Sequence, residues 1–170
     1  TNANLPNVTI RAGGELYREW RDYFRKDYAA RTAPMNGTLL QGETIGKVGF
    51  GNFYPTFSPD GRSIAYVSNK EADYFGLSSL YLYDLASKTE KLLKSGVRSN
   101  FSFSPDGKRI FYAKTGRGNA HWSNLFDLYV YDIAADDETR LTHGARANSP
   151  AVSPDGQRVA FVSGPAGTPN

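Results

Sequence analysis

One strand pattern, apolar or aromatic at every position but the last, recurs in three short strings, Ile64-Ala65-Tyr66-Val67-Ser68, Ile110-Phe111-Tyr112-Ala113-Lys114 and Val159-Ala160-Phe161-Val162-Ser163. Each string predicts a β-strand. Each also follows a nearly identical segment: Phe57-Ser58-Pro59-Asp60-Gly61, Phe103-Ser104-Pro105-Asp106-Gly107 and Val152-Ser153-Pro154-Asp155-Gly156, with serine spacings of 46 and 49 residues. A second motif keeps the same phase. Leu80-Tyr81-Leu82-Tyr83-Asp84-Leu85 returns 48 residues later as Leu128-Tyr129-Val130-Tyr131-Asp132-Ile133. A polar turn and a short fourth segment come after each copy, Glu90-Lys91-Leu92-Leu93 and Thr139-Arg140-Leu141-Thr142. The repeating unit therefore has four predicted strands.

In Ser-Pro-Asp-Gly the proline presets φ, the aspartate bonds the backbone ahead of it and the glycine takes the left-handed conformation, which together specify a tight hairpin. Four antiparallel strands with a period near 45 residues match a β-propeller blade, whose twisted sheets pack face to face around an axis. One blade cannot bury both of its faces, so neighbours are required. The predicted fold is all-β: a partial β-propeller of four-stranded antiparallel blades, preceded by an amphipathic α-helix. Residues 1–37 form an amino-terminal arm, 38–163 an incomplete propeller and 164–170 a tail. The blades are expected at about 55–93 and 100–142, with the start of a third at 149–163. Thr38-Leu39-Leu40 occupies the place of an outer strand of a preceding or closing blade. Propellers have about four to eight blades, so the expectation is a ring cut before it closes. An alternative is a complete small protein whose open stack leaves a blade edge in need of a partner.

The helix is expected over about 13–31. Leu16, Trp20, Phe24 and Tyr28 recur at i, i+4, with Tyr17 and Tyr23 beside the stripe and charges of both signs elsewhere. Ala33-Pro34 and Asn36-Gly37 are expected to stop it. Such a stripe packs on the propeller or on a neighbouring domain, or serves a membrane surface or a partner.

Composition narrows the function. The 170 residues are 39% hydrophobic and 22% charged, as in an ordinary globular protein. The net charge of +3 comes with no basic run longer than two residues, so charge alone does not imply nucleic acid. The tyrosines that could stack on bases sit largely in repeat strands that need them for packing. Apolar runs are broken by Asp, Lys or Gly well short of the roughly 18 residues of a membrane span. Thr1 in place of an initiator methionine, with no signal-like region after it, predicts a start inside a longer precursor or after processing. The absence of cysteine removes disulfides, thiolate metal sites and cysteine nucleophiles together.

The Phe-Ser-Pro-Asp-Gly-x-x-Ile-Ala-Tyr-Val-Ser string of residues 57–68, followed by Leu80 to Leu85, resembles the TolB-type propeller repeat over about 55–163. The resemblance implies a bacterial envelope setting, periplasmic, in which the propeller is a docking platform for other proteins or for a membrane-bound assembly. It also implies that the Asn-x-Ser/Thr patterns at Asn7, Asn36 and Asn100 are not glycosylated. The helix and the Gly46 to Tyr54 linker are similar to the segment that joins a gluzincin-type metallopeptidase-like domain to such repeats in some long bacterial proteins. The residues ahead of the blades are expected to depart from the TolB pattern, which has an α/β domain there.

The same repeats serve as substrate-gating propellers in prolyl-oligopeptidase-like serine peptidases, so a peptidase whose catalytic domain lies outside this chain is the rival reading. No Gly-x-Ser-x-Gly elbow and no His-Glu-x-x-His helix is present, and His121 and His143 are the only histidines. Gly42 to Lys47 has three residues between its glycines where a phosphate loop has four, and no Ser or Thr after the lysine. Asp136-Asp137-Glu138 reads as a solvated turn, since consecutive residues rarely converge on one cation. The expectation is a non-catalytic protein-binding or structural module, with no cofactor, no metal and no nucleic acid. Its binding face is expected on the loops between the second and third strands of each blade, which are long and aromatic: Tyr74 and Phe75 in the first, His121, Trp122 and Phe126 in the second.

Overall fold

The structure, a computed structural model, describes residues 13–37, 40–74, 76–116 and 125–164. The chain divides into two units, residues 1–45 and 46–170.

The first unit contains helix α1, Gly13–Asn36. Its aromatic stripe forms a ladder of rings: Tyr17 and Trp20 lie 5.9 Å apart, Trp20 and Phe24 5.1 Å, and Phe24 and Tyr28 5.9 Å. Arg31 pairs with Asp27 one turn earlier at 3.0 Å, a favourable i, i+4 contact. The helix runs past Ala33-Pro34, where the sequence suggested a stop. Pro34 falls in the last turn, where the loss of one N–H donor has little helix beyond it to break. Of the proposed outer strand at Thr38-Leu39-Leu40, the first two residues lie outside the described part, and Leu40 is exposed and not in a strand.

The second unit is built from three antiparallel sheets. Strands β1 (Asn52–Phe57), β2 (Ser63–Ser68), β3 (Ser79–Asp84) and β4 (Glu90–Ser95) pair in sequence order as the first blade. The second repeats this with β5 (Ser102–Phe103), β6 (Arg109–Thr115), β7 (Phe126–Asp132) and β8 (Asp137–Arg140). Strands β9 (Ala147–Val152) and β10 (Val159–Ser163) open a third.

The register shows which side chains share a face. Val67 faces Leu80 and Ala65 faces Leu82, so these four share one face of the first blade, while Tyr66 and Tyr81 pair on the other. In the second blade Ile110 faces Tyr131 and Tyr112 faces Tyr129. One core cluster joins Ala65, Val67, Leu80 and Leu93 to Ile110, Tyr112, Tyr129 and Tyr131, so the aliphatic face of the first blade packs on the tyrosine face of the second. The opposite face of the second blade, through Ala113 and Leu128, packs with Ala147 of β9.

The three Ser-Pro-Asp-Gly turns are nearly superimposable in their bonding. Ser58 donates to Asp60 at 2.6 Å, and the backbone N–H of Arg62 donates to the same carboxylate at 3.1 Å. Ser104 with Asp106, and Ser153 with Asp155, do likewise. The serine hydroxyl and this N–H hold all three carboxyls below the usual carboxylate range. Consecutive turns also touch. A Cβ on Gly156 would stand 3.3 Å from Cδ of Pro105, whereas one on Gly61 would meet nothing within 4 Å; both glycines are left-handed, at φ 71° and 70°. Gly61→Ala is therefore expected to cost about 1 kcal/mol, the left-handed penalty alone. Gly156→Ala is expected to cost more, because Pro105 must also yield. Urea midpoints of the two variants check this, and equal midpoints would contradict the turn-to-turn contact.

Candidate binding face

Strands β2 and β6 both run away from the Pro-Asp-Gly turns, so the β2–β3 and β6–β7 connections emerge together at the opposite end of the blades. Tyr74 stands on the first connection with 73% of its surface exposed. Phe126 is the first residue of β7, opposite Thr115, and packs half-buried against Ala113, Leu128 and Ala147. Its ring thus contributes to the core beside the loop. Phe75, His121 and Trp122 lie outside the described residues.

Below these loops each blade carries the same polar clamp. Lys70 forms an ion pair with Glu90, donates to the hydroxyl oxygen of Tyr66 at 2.9 Å and places its ammonium 3.9 Å from the centre of the Tyr81 ring. In the second blade Lys114 pairs with Glu138, Tyr112 donates to the same carboxylate, and the ammonium lies 4.7 Å from the Tyr129 ring. Burial, followed by the neighbouring glutamate, pushes the phenols of Tyr66 and Tyr112 well above their ordinary range. They stay protonated near neutral pH and donate to Glu90 and Glu138. The clamp ties the second strand of the blade to its fourth. It is legible in the sequence only with hindsight, because Tyr66 and Tyr112 are 46 residues apart, the lysines 44 and the glutamates 48.

Asp127 is a third polar anchor of the fold. Only 1% exposed, it accepts hydrogen bonds from the hydroxyl of Thr142 at 2.8 Å and from the backbone N–H groups of Ala145 at 3.0 Å and Gly144 at 3.1 Å, and it pairs with Arg140. Burial alone would raise its pKa, but these donors outweigh it and hold the carboxyl below its ordinary value. The effect is to fasten the β8–β9 connection, which carries the chain into the third blade.

Among the described residues, two cavities open on this face. The larger, about 710 Å³, lies between the β2–β3 loop and the clamps, lined by Glu71, Asp73, Ser79, Tyr81, Tyr129 and Lys114 among others. The smaller, about 250 Å³, is enclosed by Phe53, Tyr54, Asn69, Gly76, Ser78 and Arg98. Its aromatic wall is set by an irregularity in β1, between Phe53 and Thr56, where Tyr54 adopts φ 57°. Ser149, which also precedes a proline, repeats this at φ 53° in β9, and such bulges re-aim side chains at the rims of sheets. Among the described residues no group of three or more His, Cys, Asp or Glu is placed to hold a metal ion, and no helix is long and apolar enough to cross a membrane.

The model of the TolB beta propeller domain matches residues 39–170. The chain belongs to this family. Among solved structures, a protein assigned as TolB from Agrobacterium tumefaciens is 35% identical with a TM-score of 0.57, covering 69% of this chain and 40% of its own. The β-propeller domain of the Trilobed protease from Pyrococcus furiosus is 18% identical with a TM-score of 0.55, covering 69% and 35%. Oligogalacturonate lyase from Vibrio parahaemolyticus is 18% identical with a TM-score of 0.51, covering 73% and 36%. The last two likenesses concern the fold alone. No curated protein matches. The chain thus spans less than half the length of the TolB-family structure it matches, and it forms part of a propeller.

Proposed function

We propose that this part of the TolB-family propeller is a non-catalytic protein-binding module of the bacterial periplasm, docked on a larger, membrane-bound assembly. One observation carries the reading. The repeated polar groups are spent on the fold, in turns, clamps and the Asp127 fastening, whereas the long-loop face holds exposed Tyr74 and two open cavities on a braced scaffold. Loops on a rigid frame are where binding concentrates. The family membership supports the setting and the role.

The test is a pull-down from bacterial envelope extracts with wild-type chain and with Tyr74→Ala and Trp122→Ala. An aromatic anchor at the centre of an interface costs about tenfold or more in affinity on truncation, and that loss is expected for at least one variant. Equal capture by all three forms, or no specific partner, would overturn the assignment of this face. A Gly-x-Ser-x-Gly or His-Glu-x-x-His domain in the same open reading frame would shift the reading to the gating propeller of a peptidase.

A further inference from the structure

The β4–β5 and β8–β9 connections share a motif that the strand repeats overshadow. Gly96-Val97-Arg98-Ser99-Asn100 returns as Gly144-Ala145-Arg146-Ala147-Asn148, displaced by 48 residues, the period of the Leu-Tyr strands. Both arginines sit on braced backbone. Ser78 donates through its hydroxyl to the carbonyl of Val97 at 2.6 Å and accepts from the N–H of Gly96 at 2.9 Å through its own carbonyl. In the same way Ser163 donates to the carbonyl of Ala145 at 2.7 Å, and Asp127 holds the N–H groups of Gly144 and Ala145.

The side chains, by contrast, are not engaged. Arg98 and Arg146 are exposed, and neither guanidinium has a carboxylate or a side-chain hydrogen bond among the described residues. This differs from Arg140 and from Lys70, Lys91 and Lys114, each of which has its acid. The Arg98 guanidinium lies over Gly76, where a Cβ would come within 2.5 Å of it, and forms one wall of the 250 Å³ cavity with Phe53, Tyr54, Asn69 and Ser78.

Resting on the protein-binding reading above, we infer that Arg98 and Arg146 are a two-point carboxylate reader for an extended acidic peptide segment of a partner protein. Equivalent positions on stacked sheets are about 10 Å apart, and an extended chain in the polyproline II conformation rises about 3.1 Å per residue and returns to the same side every three residues. The pair therefore matches two acidic side chains three residues apart. A guanidinium fork is suited to each carboxylate, and the aromatic wall offers apolar contact while the side-chain N–H groups of Asn69, whose oxygen accepts from Gly51, can donate to the intervening backbone.

The experiment is fluorescence anisotropy on the full chain with a labelled nonapeptide bearing two aspartates three residues apart, its asparagine counterpart, and an oligogalacturonate as a carboxylate source of another class. The aspartate peptide is expected to bind, the asparagine peptide to bind at least tenfold more weakly, and added salt to weaken the acidic peptide. Arg98→Ala and Arg146→Ala should each reduce affinity roughly tenfold, as for a charge-assisted hydrogen bond. Gly76→Ala should weaken binding as well, by displacing Arg98 without removing its charge. Circular dichroism verifies that the variants are folded. Equal binding of the two peptides, unchanged affinity in both arginine variants, or binding of the oligogalacturonate alone would overturn the inference. If the pull-down recovers a partner whose capture is indifferent to Arg98 and Arg146, the protein-binding reading stands and this inference fails.

Discussion

Asp127→Ala is expected to destabilise the propeller unit by about 3–5 kcal/mol, the cost of breaking a buried, hydrogen-bonded charge pair by removing one partner. The carboxylate is almost fully buried and serves four donors at once. Its removal leaves the part-buried Arg140 guanidinium without its carboxylate and deprives two backbone N–H groups, of Gly144 and Ala145, of their acceptor. Because the folded-state pKa is held below the unfolded value, the contribution of this group is fully present above the unfolded pKa of about 3.9. It is lost as pH falls through the lower folded pKa. Chemical denaturation from pH 7 down to pH 3 checks both statements. The wild type should lose stability with acid, and the gap to Asp127→Ala should narrow. A gap below 1 kcal/mol at pH 7, or one independent of pH, would contradict the fastening role.

Leu80→Ala should cost about 2–5 kcal/mol, in the range of buried leucine truncations. Leu92→Ala should cost under about 1 kcal/mol, as expected for a leucine with much of its surface still in water. The two leucines occupy adjacent strands of one sheet but opposite faces. Leu80, at 0% exposure, lies in the cluster between the first and second blades, whereas Leu92 is 46% exposed on the face where no blade of the described chain covers it. Thermal or urea unfolding of the two variants separates the faces directly. Similar losses at both sites would mean that the first blade does not stack through its Ala65, Val67 and Leu80 face. The contrast also measures how much of a blade's stability comes from its neighbour, since the strands and turns are the same in both variants.

The repeat made much of this architecture legible before any coordinates. Ser-Pro-Asp-Gly specifies a turn by local chemistry, and each of the three copies has the same serine–aspartate bond and left-handed glycine. Once Ile64 to Ser68 and Leu80 to Tyr83 are read as strands, which side chains share a face follows, because side chains in a strand have a period of two. The helix is visible in its i, i+4 aromatic stripe, but its end is less so. Pro34 reads as a stop, while the last turn tolerates it at small cost.

The candidate site is a different matter. Tyr74 and Phe126 look alike in the sequence, as aromatics at the margins of long connections, yet one is exposed and the other packs in a core cluster. Nothing local distinguishes them. Their fates depend on whether β7 begins at residue 126 and on the position of Ala147 in the next blade. The lysine–glutamate–tyrosine clamps and the fastening at Asp127 are equally invisible to a linear reading, because their members come from different strands and the lysine spacing departs from the main period. The two arginines carry a periodic signal that could have been found, a Gly-x-Arg-x-Asn repeat at 48 residues, but not the fact that they lack carboxylate partners among the described residues.

By itself, then, the sequence determined the elements, the turns and the repeat, and with them the family, since those follow from interactions within a few residues. Only the tertiary structure decided which face of each blade is covered and which charges have an opposite charge beside them among the described residues. Those outcomes depend on contacts between residues separated by a whole blade, where burial and pairing are settled by stacking and no local propensity reports them.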